Sequence, residues 1–215
     1  MSLARPMPTP SSHVSLSLVV AQDHRAVSDA ELAQALSLGD AWAAVETWRR
    51  FAPMVLKLAR RTLGSRSEAD DIGQEVFCRI YRKVRTLREP DKLRNFVYTC
   101  AVRVLQTELH RRKMRSWLSF ERPETLDLRA CEGLSVESRD MLRRLYSALD
   151  RLSARDRIVF IMRRVEEMTI EEIAAALQSS ESTVKRALMH ASTRLSRWME
   201  DEARPTTGAE KWGRR

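Results

Sequence analysis

From residue 28 onward, apolar side chains recur three and four positions apart along almost the whole chain. This spacing places them on one face of an α-helix, and no segment has the convincing alternation of apolar and polar residues that typifies a half-buried strand. Residues 1–27 lack the period and are rich in Pro, Ser and Thr, which predicts a disordered N-terminal extension. The pattern therefore predicts an all-α protein.

The first group of helices is predicted over residues 28–114, as one compact bundle. Ser28 precedes Glu31 by three positions, the spacing of a capping box, and starts a short helix. The longer helix that follows carries Pro53 in its interior. Because proline has no backbone N–H to donate, we expect a kink or a restart there.

The helix predicted over residues 68–85 has one apolar face and one charged face. We place its N-terminus at Ser67, because Asp70 follows three positions later, as in a capping box. The apolar face packs in the bundle, whereas the charged face is either a solvated surface or a docking surface for a basic partner. That face consists of Asp70, Asp71, Gln74, Glu75 and Arg82.

A further helix with an apolar face starts after Pro90 and ends in a basic run of arginines, histidine and lysine. Aromatic residues followed by cations suit unpaired bases, which stack on the rings while the cations neutralise the backbone. The alternative is an aromatic that belongs to the core and a solvated helix end that the helix dipole favours. The candidate single-strand contacts are Phe96, Tyr98, Arg103, Arg111, Arg112 and Lys113.

Residues 115–136 lose the helical period and contain both Pro and Gly, which predicts a flexible linker. Trp117 and Phe120 are unusual in a solvated spacer, so we expect them to pack on the bundle or on a partner. The helical period resumes over residues 137–200, and a flexible tail is predicted over residues 201–215. The chain thus consists of two small helical domains joined by a linker.

The second domain contains a segment, residues 169–195, with the pattern of a helix-turn-helix. Thr169 and Glu172 form a capping box for its first helix, and a short break precedes the second helix. Hydroxyls at a helix start suit phosphate, and Lys and Arg suit phosphate or guanine edges in the major groove. An ordinary helical hairpin with a solvated basic face is the alternative. The candidate DNA contacts are Ser180, Ser182, Thr183, Lys185, Arg186, His190 and Arg194.

The charge of the chain supports a polyanionic partner. It has 38 Lys and Arg against 29 acids, a formal net charge of +9. Only 6 of the 38 are Lys, so the positive charge is almost all guanidinium, the group suited to bidentate contacts with phosphate. The balance favours nucleic acid over an anionic membrane.

Several functional classes are disfavoured by the same sequence. The 6 glycines are dispersed, so no phosphate-cradling loop can be formed, and the 3 cysteines include no CxxC pair. No histidine has metal-ligand spacing, and no nucleophile-base set is evident, so we expect no metal, no cofactor, no small-molecule substrate and no enzymatic activity. No run approaches the roughly 18–20 apolar residues of a membrane span, and we expect a soluble protein of the reducing cytoplasm.

In their order and separation, three motifs together resemble the extracytoplasmic-function (ECF) sigma factors of bacterial RNA polymerase, within the sigma-70 family. The motifs are FAPMVLKLARRTLG at 51–64, EADDIGQEVF at 68–77, and LSARDR at 152–157 followed by TVK at 183–185. The resemblance covers about residues 35–199 and leaves both ends unmatched.

The resemblance implies a role for each candidate surface. The charged face of residues 68–85 would dock on core polymerase, the aromatic and basic segment at 93–115 would open and hold the minus-ten element, and residues 181–195 would read the minus-thirty-five element. Core polymerase and promoter DNA are the implied partners, and many members of the family are also held by an anti-sigma factor.

The chain departs from the family pattern at identifiable positions. In the strand-opening segment it has Phe96-Val97, Val102-Arg103 and Thr107 where the family commonly has Trp-Leu, Arg-Asn and Asp. In the helix-turn-helix, Gln178 stands where the family has glycine. A left-handed backbone at this residue would cost on the order of 1 kcal/mol.

Two other functions fit parts of the sequence. A dimeric helix-turn-helix regulator that does not join polymerase would use residues 28–114 for oligomerisation or ligand binding, and would recognise a palindromic site. A helical adaptor or anti-factor would bind proteins only and would tolerate loss of Lys185 and Arg186.

Overall fold

The computed structural model describes residues 27–119 and 133–203. Over these ranges the chain forms α-helices and two short 3₁₀ turns but no β-strand, so the all-α prediction is confirmed. The helices are α1 (Asp29–Leu38), α2 (Ala41–Leu63), α3 (Arg66–Lys83), α4 (Leu93–Ser119), α5 (Val136–Asp150), α6 (Ala154–Arg164), α7 (Ile170–Leu177) and α8 (Glu181–Ala203).

Helices α1 to α4 form the N-terminal bundle. Each contributes side chains to a common core, among them Leu32, Leu58, Phe77 and Leu105, which are all at most 2% exposed. Gly73 allows α3 to lie close to α2, because a Cβ atom at this position would lie 2.6 Å from a methyl carbon of Leu56. The bundle thereby fixes the direction of the outer face of α3.

The predicted start of α1 is confirmed, since the Ser28 hydroxyl accepts from the Glu31 N–H while the Glu31 carboxylate accepts from the Ser28 N–H. The start of α3 is predicted two residues too late. Its cap is Ser65, whose hydroxyl accepts from the N–H of Glu68 at 3.4 Å. Ser65 precedes Glu68 by the same interval that separates Ser67 from Asp70, so spacing alone does not distinguish the two caps.

Helix α2 continues without interruption through Pro53, and the restart predicted there is wrong. The proline ring lies on the exposed side of the helix. On that side water can bond the carbonyl that proline leaves without a partner.

Helices α5 to α8 form the C-terminal domain. Its core takes a buried residue from each helix: Leu149, Met162, Ile173 and Val184. The capping box of Thr169 and Glu172 is present at the start of α7. Helices α7 and α8, with the turn between them, form the predicted helix-turn-helix arrangement.

The segment between the domains begins later than the sequence indicates. Residues 115–119 continue α4, and Trp117 and Leu118 lie on this helix with 82% and 79% exposure. Trp117 therefore does not pack on the bundle, and of the two expected alternatives only packing on a partner remains a prediction. Phe120 lies outside the described residues, as do residues 1–26 of the predicted extension and residues 204–215 of the predicted tail.

The two domains lie against each other. Helix α4 packs against α6 and α7, and α2 packs against α6. The contacts bring the helix-turn-helix close to the basic part of α4, and their chemistry is described below.

Candidate polymerase and nucleic-acid interfaces

The charged face of α3 points away from the bundle. All five predicted docking residues are exposed, whereas Ile72, Val76 and Phe77 on the opposite side are buried. Asp70 is held by Arg60 of α2, with 3.1 Å between Nη2 and Oδ1. The five exposed residues are Asp70, Asp71, Gln74, Glu75 and Arg82.

A basic groove runs along the C-terminal half of α4. Thr107 and His110 are bonded to the α4 carbonyls of Arg103 and Gln106, at 2.9 and 2.6 Å. Several guanidinium groups and the His110 ring line this open surface, and such a surface suits a phosphate backbone. The groove is lined by Arg79, Arg103, Gln106, Thr107, His110, Arg111, Met114, Arg115 and Leu118.

The structure divides the predicted single-strand contacts. Arg103 and Arg111 line the groove, and Lys113 is exposed outside it. Phe96 is half-buried against the core, and Tyr98 is only 8% exposed. Since Tyr98 belongs to the core, the base-stacking role predicted for it is not retained.

Arg112 is a structural residue in this arrangement. Its side chain is 10% exposed, and its guanidinium donates to the Leu63 carbonyl at 3.0 Å and to the Glu68 carboxylate. Burial, together with the nearby charge of Arg157, lowers the pKa of Arg112 to about 10. The group remains protonated at neutral pH but faces the end of α2, so we withdraw the DNA contact predicted for it.

The first turn of α8 is ordered by hydroxyl groups. The Ser180 hydroxyl accepts from the N–H of Thr183 at 3.3 Å, the bond of a helix cap. It also lies 3.0 Å from the Ser182 hydroxyl and 2.8 Å from that of Thr183. Ser180 and Ser182 are exposed, so this hydroxyl cluster lies at the surface where the helix begins.

The cations of α8 are exposed to different degrees. Lys185 and Arg186 are exposed, and Lys185 pairs with Glu181 at 3.1 Å. The Arg194 guanidinium lies 4.9 Å from the ring centre of Trp198, a cation–π contact. His190 is on the same outward stripe as Arg186, one turn further along, with 55% of its side chain exposed.

The turn before α8 has a left-handed backbone at the position where the family pattern has glycine. Gln178 has φ 52° and ψ 47°, in the left-handed region, and the N–H groups of Gln178 and Ser179 donate to carbonyls of α7. This conformation closes the C-terminal end of α7. It also directs the Gln178 side chain toward α4.

The basic groove and the helix-turn-helix are in direct contact in this structure. Arg103 of α4 donates a hydrogen bond to Oε1 of Gln178. One guanidinium of the groove is therefore bonded to the C-terminal domain.

A second contact links the α6–α7 loop to α2. The Glu166 carboxylate, with 9% of the side chain exposed, accepts from Arg61 at 2.6 Å and lies 3.2 Å from the Lys57 ammonium. Arg61 also donates to the Val165 carbonyl at 2.7 Å. These bonds join residues more than 100 positions apart.

A buried arginine, Arg157, and the hydroxyl of Tyr146 make further contacts between the two domains. Arg157 donates from Nε to the Thr62 carbonyl at 2.7 Å and from Nη1 to Asp150, and its side chain is 3% exposed. The Tyr146 hydroxyl donates to the Arg61 carbonyl at 3.1 Å. We call the contacts of Glu166, Tyr146 and Arg157 with the C-terminal end of α2 the α2 seam.

The α2 seam also contains polar atoms that lack partners among the described residues. These are Oγ1 of Thr62 and Nη2 of Arg157. A buried donor without a partner costs about 1–3 kcal/mol. The seam is thus polar, as interfaces between domains of one chain commonly are.

Sequence reasoning did not identify Arg79 and Gln106 as groove residues or Glu166 as the centre of a seam. Arg79 lies on α3 and reaches the groove only through the packing of α3 on α4. Glu166 lies in a loop whose only sequence signal is two adjacent acids. Neither Arg79 nor Glu166 has a local sequence pattern that would have revealed its position.

Among the described residues, no helix is long and apolar enough to span a lipid bilayer. Two helical domains, one with a helix-turn-helix and the other with a basic groove, are features typical of a nucleic-acid-binding protein.

Comparison with known proteins identifies the family of the chain. The family model described as Sigma-70 region 2 matches residues 47–115, and that described as Sigma-70, region 4 matches residues 142–195. The RNA polymerase sigma factor SigV of Bacillus subtilis (strain 168) is 28% identical over 137 residues, 63% of this chain and 78% of SigV. The ferric citrate uptake sigma factor FecI of Escherichia coli (strain K12) is 35% identical over 133 residues, 59% of this chain and 73% of FecI.

The chain belongs to the sigma-70 family and is an ECF sigma factor of RNA polymerase. The resemblance seen in its motifs is confirmed. The region 2 match also covers most of the domain that a dimeric regulator would have used for oligomerisation or ligand binding.

Solved structures support the fold. The structure of CnrH in complex with the cytosolic domain of CnrY aligns at 21% identity and a TM-score of 0.56, covering 81% of this chain and 99% of that chain. The sigma factor RpoE in complex with the anti-sigma factor NepR, from Bartonella quintana, aligns at 17% identity and a TM-score of 0.50, covering 72% and 95%. At these identities the likeness concerns the fold.

Proposed function

We propose that the chain binds core polymerase through the outer face of α3 and then directs it to promoters through α4 and α8. The observation that carries the assignment is the exposure of four charged side chains and one glutamine on the outer face of α3, a helix whose other side is packed into the bundle. A rigid exposed face with both charge signs suits a protein partner. The proposed contacts are Asp70, Asp71, Gln74, Glu75 and Arg82.

The proposed minus-ten contacts follow the groove of α4. Arg103 and Arg111 would neutralise the strand backbone, with Lys113 near the end of the same helix. Phe96 is half-buried, so it would meet a base only at its exposed edge. Tyr98 and Arg112 are not included, because both are buried.

The proposed minus-thirty-five contacts lie on α8. The hydroxyls at its start and the cations along its outward stripe suit entry into the major groove. The stacked guanidinium of Arg194 lies furthest along the helix and suits the phosphate backbone. The proposed contacts are Ser180, Ser182, Thr183, Lys185, Arg186, His190 and Arg194.

We infer that the two domains separate on a promoter. The minus-ten and minus-thirty-five elements lie roughly 25 base pairs apart, which is about 85 Å of B-form DNA. In this structure the two DNA surfaces are joined directly by Arg103 and Gln178. Release of that bond and of the α2 seam therefore accompanies binding to both elements.

The proposed activity consists of binding and contains no chemical step by this chain. We place it in the cytoplasm, where bacterial core polymerase transcribes DNA. We further propose an anti-sigma partner, since the sigma factor RpoE was solved with the anti-sigma factor NepR on a related fold.

A co-elution experiment with purified bacterial core polymerase tests the central step. Charge reversal at Asp71 and Glu75, written D71K/E75K, is expected to abolish co-elution, because it places two cations in the docking face while leaving the core untouched. The control is K185A/R186A, which alters the DNA surface and is expected to co-elute normally. Unchanged co-elution of folded D71K/E75K would contradict the proposed docking face.

A further inference from the structure

We infer that Asp156 is a positioning residue for DNA recognition by His190, and the inference rests on the proposed minus-thirty-five function of α8. Asp156 lies in the first turn of α6, and His190 lies on the outward stripe of α8, 34 positions later. Nδ1 of His190 donates to Oδ2 of Asp156 at 2.8 Å. This bond fixes the imidazole on the surface that would face DNA.

Asp156 is buried and His190 is exposed, as expected if the carboxylate positions the ring. The side chain of Asp156 is 11% exposed, whereas that of His190 is 55% exposed. The carboxylate is therefore held within the domain, and the ring is presented outside it. A buried carboxylate that orients an exposed imidazole is the arrangement by which proteins select one ring nitrogen for function.

The direction of the Asp156 side chain is not explained by the capping of its own helix. Asp156 follows the cap Ser153 by three positions, and its N–H donates to the Ser153 hydroxyl at 3.1 Å. At the equivalent positions of α1 and α7, Glu31 and Glu172 turn back to bond the cap backbone. Asp156 instead extends to α8.

The chemistry follows from the donor and acceptor properties of the pair. An ionised carboxylate only accepts, so Nδ1 of His190 carries the hydrogen in this bond. Nε2 is then the nitrogen available to DNA, as an acceptor when the ring is neutral and as a donor when it is protonated. The fixed ring shares its stripe with Ser182 and Arg186, so the contact lies on the surface that would meet the major groove.

The test is a double-mutant cycle in the reconstituted complex of the full chain with core polymerase. Duplexes are first selected from a randomised library with the wild-type complex, and the affinity of each variant for the selected duplex is measured. D156A and H190A are each expected to weaken binding about fivefold, and D156A/H190A no more than H190A alone, since Asp156 acts through His190. Losses that multiply to about 25-fold in the double variant would overturn the assignment.

The matched control is E172A, which removes a carboxylate from the same position of the neighbouring helix. It is expected to leave affinity for the selected duplex within about twofold of wild type, because Glu172 bonds the cap of α7 rather than α8. D156N retains an oxygen that accepts from Nδ1 and is also expected to stay within about twofold. A loss with D156N as large as that with H190A would overturn the assignment.

A measurement on the unmodified chain gives a readout of the bond itself, and a variant serves only to assign the signal. Nitrogen-15 spectra of the imidazole, assigned by the signal missing in H190A, are expected to show hydrogen on Nδ1 of His190. Hydrogen on Nε2 alone would overturn the proposed bond. If the wild-type complex selects no sequence although it forms, the proposed promoter recognition fails, and the assignment fails with it.

Discussion

Arg103, in the basic groove of α4, donates a hydrogen bond to Gln178, in the turn of the helix-turn-helix. The two residues belong to surfaces that a promoter would hold far apart. Their contact means that the described arrangement is a closed one, in which one guanidinium of the basic groove is occupied by the turn of the helix-turn-helix. The α2 seam holds the same arrangement from the other side, through Glu166.

Replacement of Glu166 is expected to loosen this closed arrangement. E166K places a cation against Lys57 and Arg61, so the seam should lose about 2 kcal/mol or more, as for other buried ion pairs that lose one partner. Small-angle X-ray scattering of the free chain should then give a larger radius of gyration. The control E171K changes an exposed acid of α7 and should leave the radius unchanged; equal radii for all three proteins would contradict the seam.

Arg111 and Arg112 are adjacent in sequence but should respond differently to substitution. R111A removes one groove cation and should reduce the slope of log affinity for DNA against log salt by about 1, with little change in stability. R112A leaves the Leu63 carbonyl and Glu68 without their partner and should destabilise the protein by about 2–3 kcal/mol. Thermal unfolding and salt titration distinguish the two effects, and identical behaviour of the two variants would contradict the burial of Arg112.

Glu46 should make stability depend on pH. Hydrogen bonds, first from Arg49 and then from Arg50, lower the pKa of this buried carboxyl below its ordinary value of 4.5. A lowered pKa in the folded state stabilises the fold above the ordinary pKa, and the contribution is lost as pH falls through the folded value.

The melting temperature of E46Q is therefore expected to lie below that of wild type at neutral pH, and the two should converge below pH 4.5. Thermal unfolding followed by circular dichroism across this range measures the difference. A constant difference at every pH would contradict the ionic contribution of Glu46.

Loss of Lys185 and Arg186 should affect promoter selection but not assembly with polymerase. Both side chains are exposed on α8, and neither lies in the α2 seam. K185A/R186A should reduce the salt slope of promoter binding by about 2, since each cation contributes about 1. Equal transcription from a matched promoter by variant and wild type would refute the role of α8.

The features predicted correctly from sequence depend on neighbouring residues. The capping boxes of Ser28 and Thr169 each involve four consecutive positions. The exposed face of α3 is a direct consequence of helical periodicity. These features need no knowledge of which helices pack together.

Local sequence patterns are insufficient where packing between distant segments decides the outcome. Tyr98 is aromatic beside cations, as a stacking residue would be, yet the bundle buries it. Arg112 lies within a basic run, yet the end of α2 and Glu68 bind it. Glu166 pairs with residues more than 100 positions away, so no local pattern could reveal the seam.

The central claim is that this chain gives core polymerase its promoter selectivity. Multi-round run-off transcription on fragmented genomic DNA, with purified bacterial core polymerase in the presence and absence of the chain, tests it most directly. We expect new discrete RNA start sites that share two upstream motifs and disappear with D71K/E75K. No new starts, despite a folded chain that co-elutes with core polymerase, would contradict it.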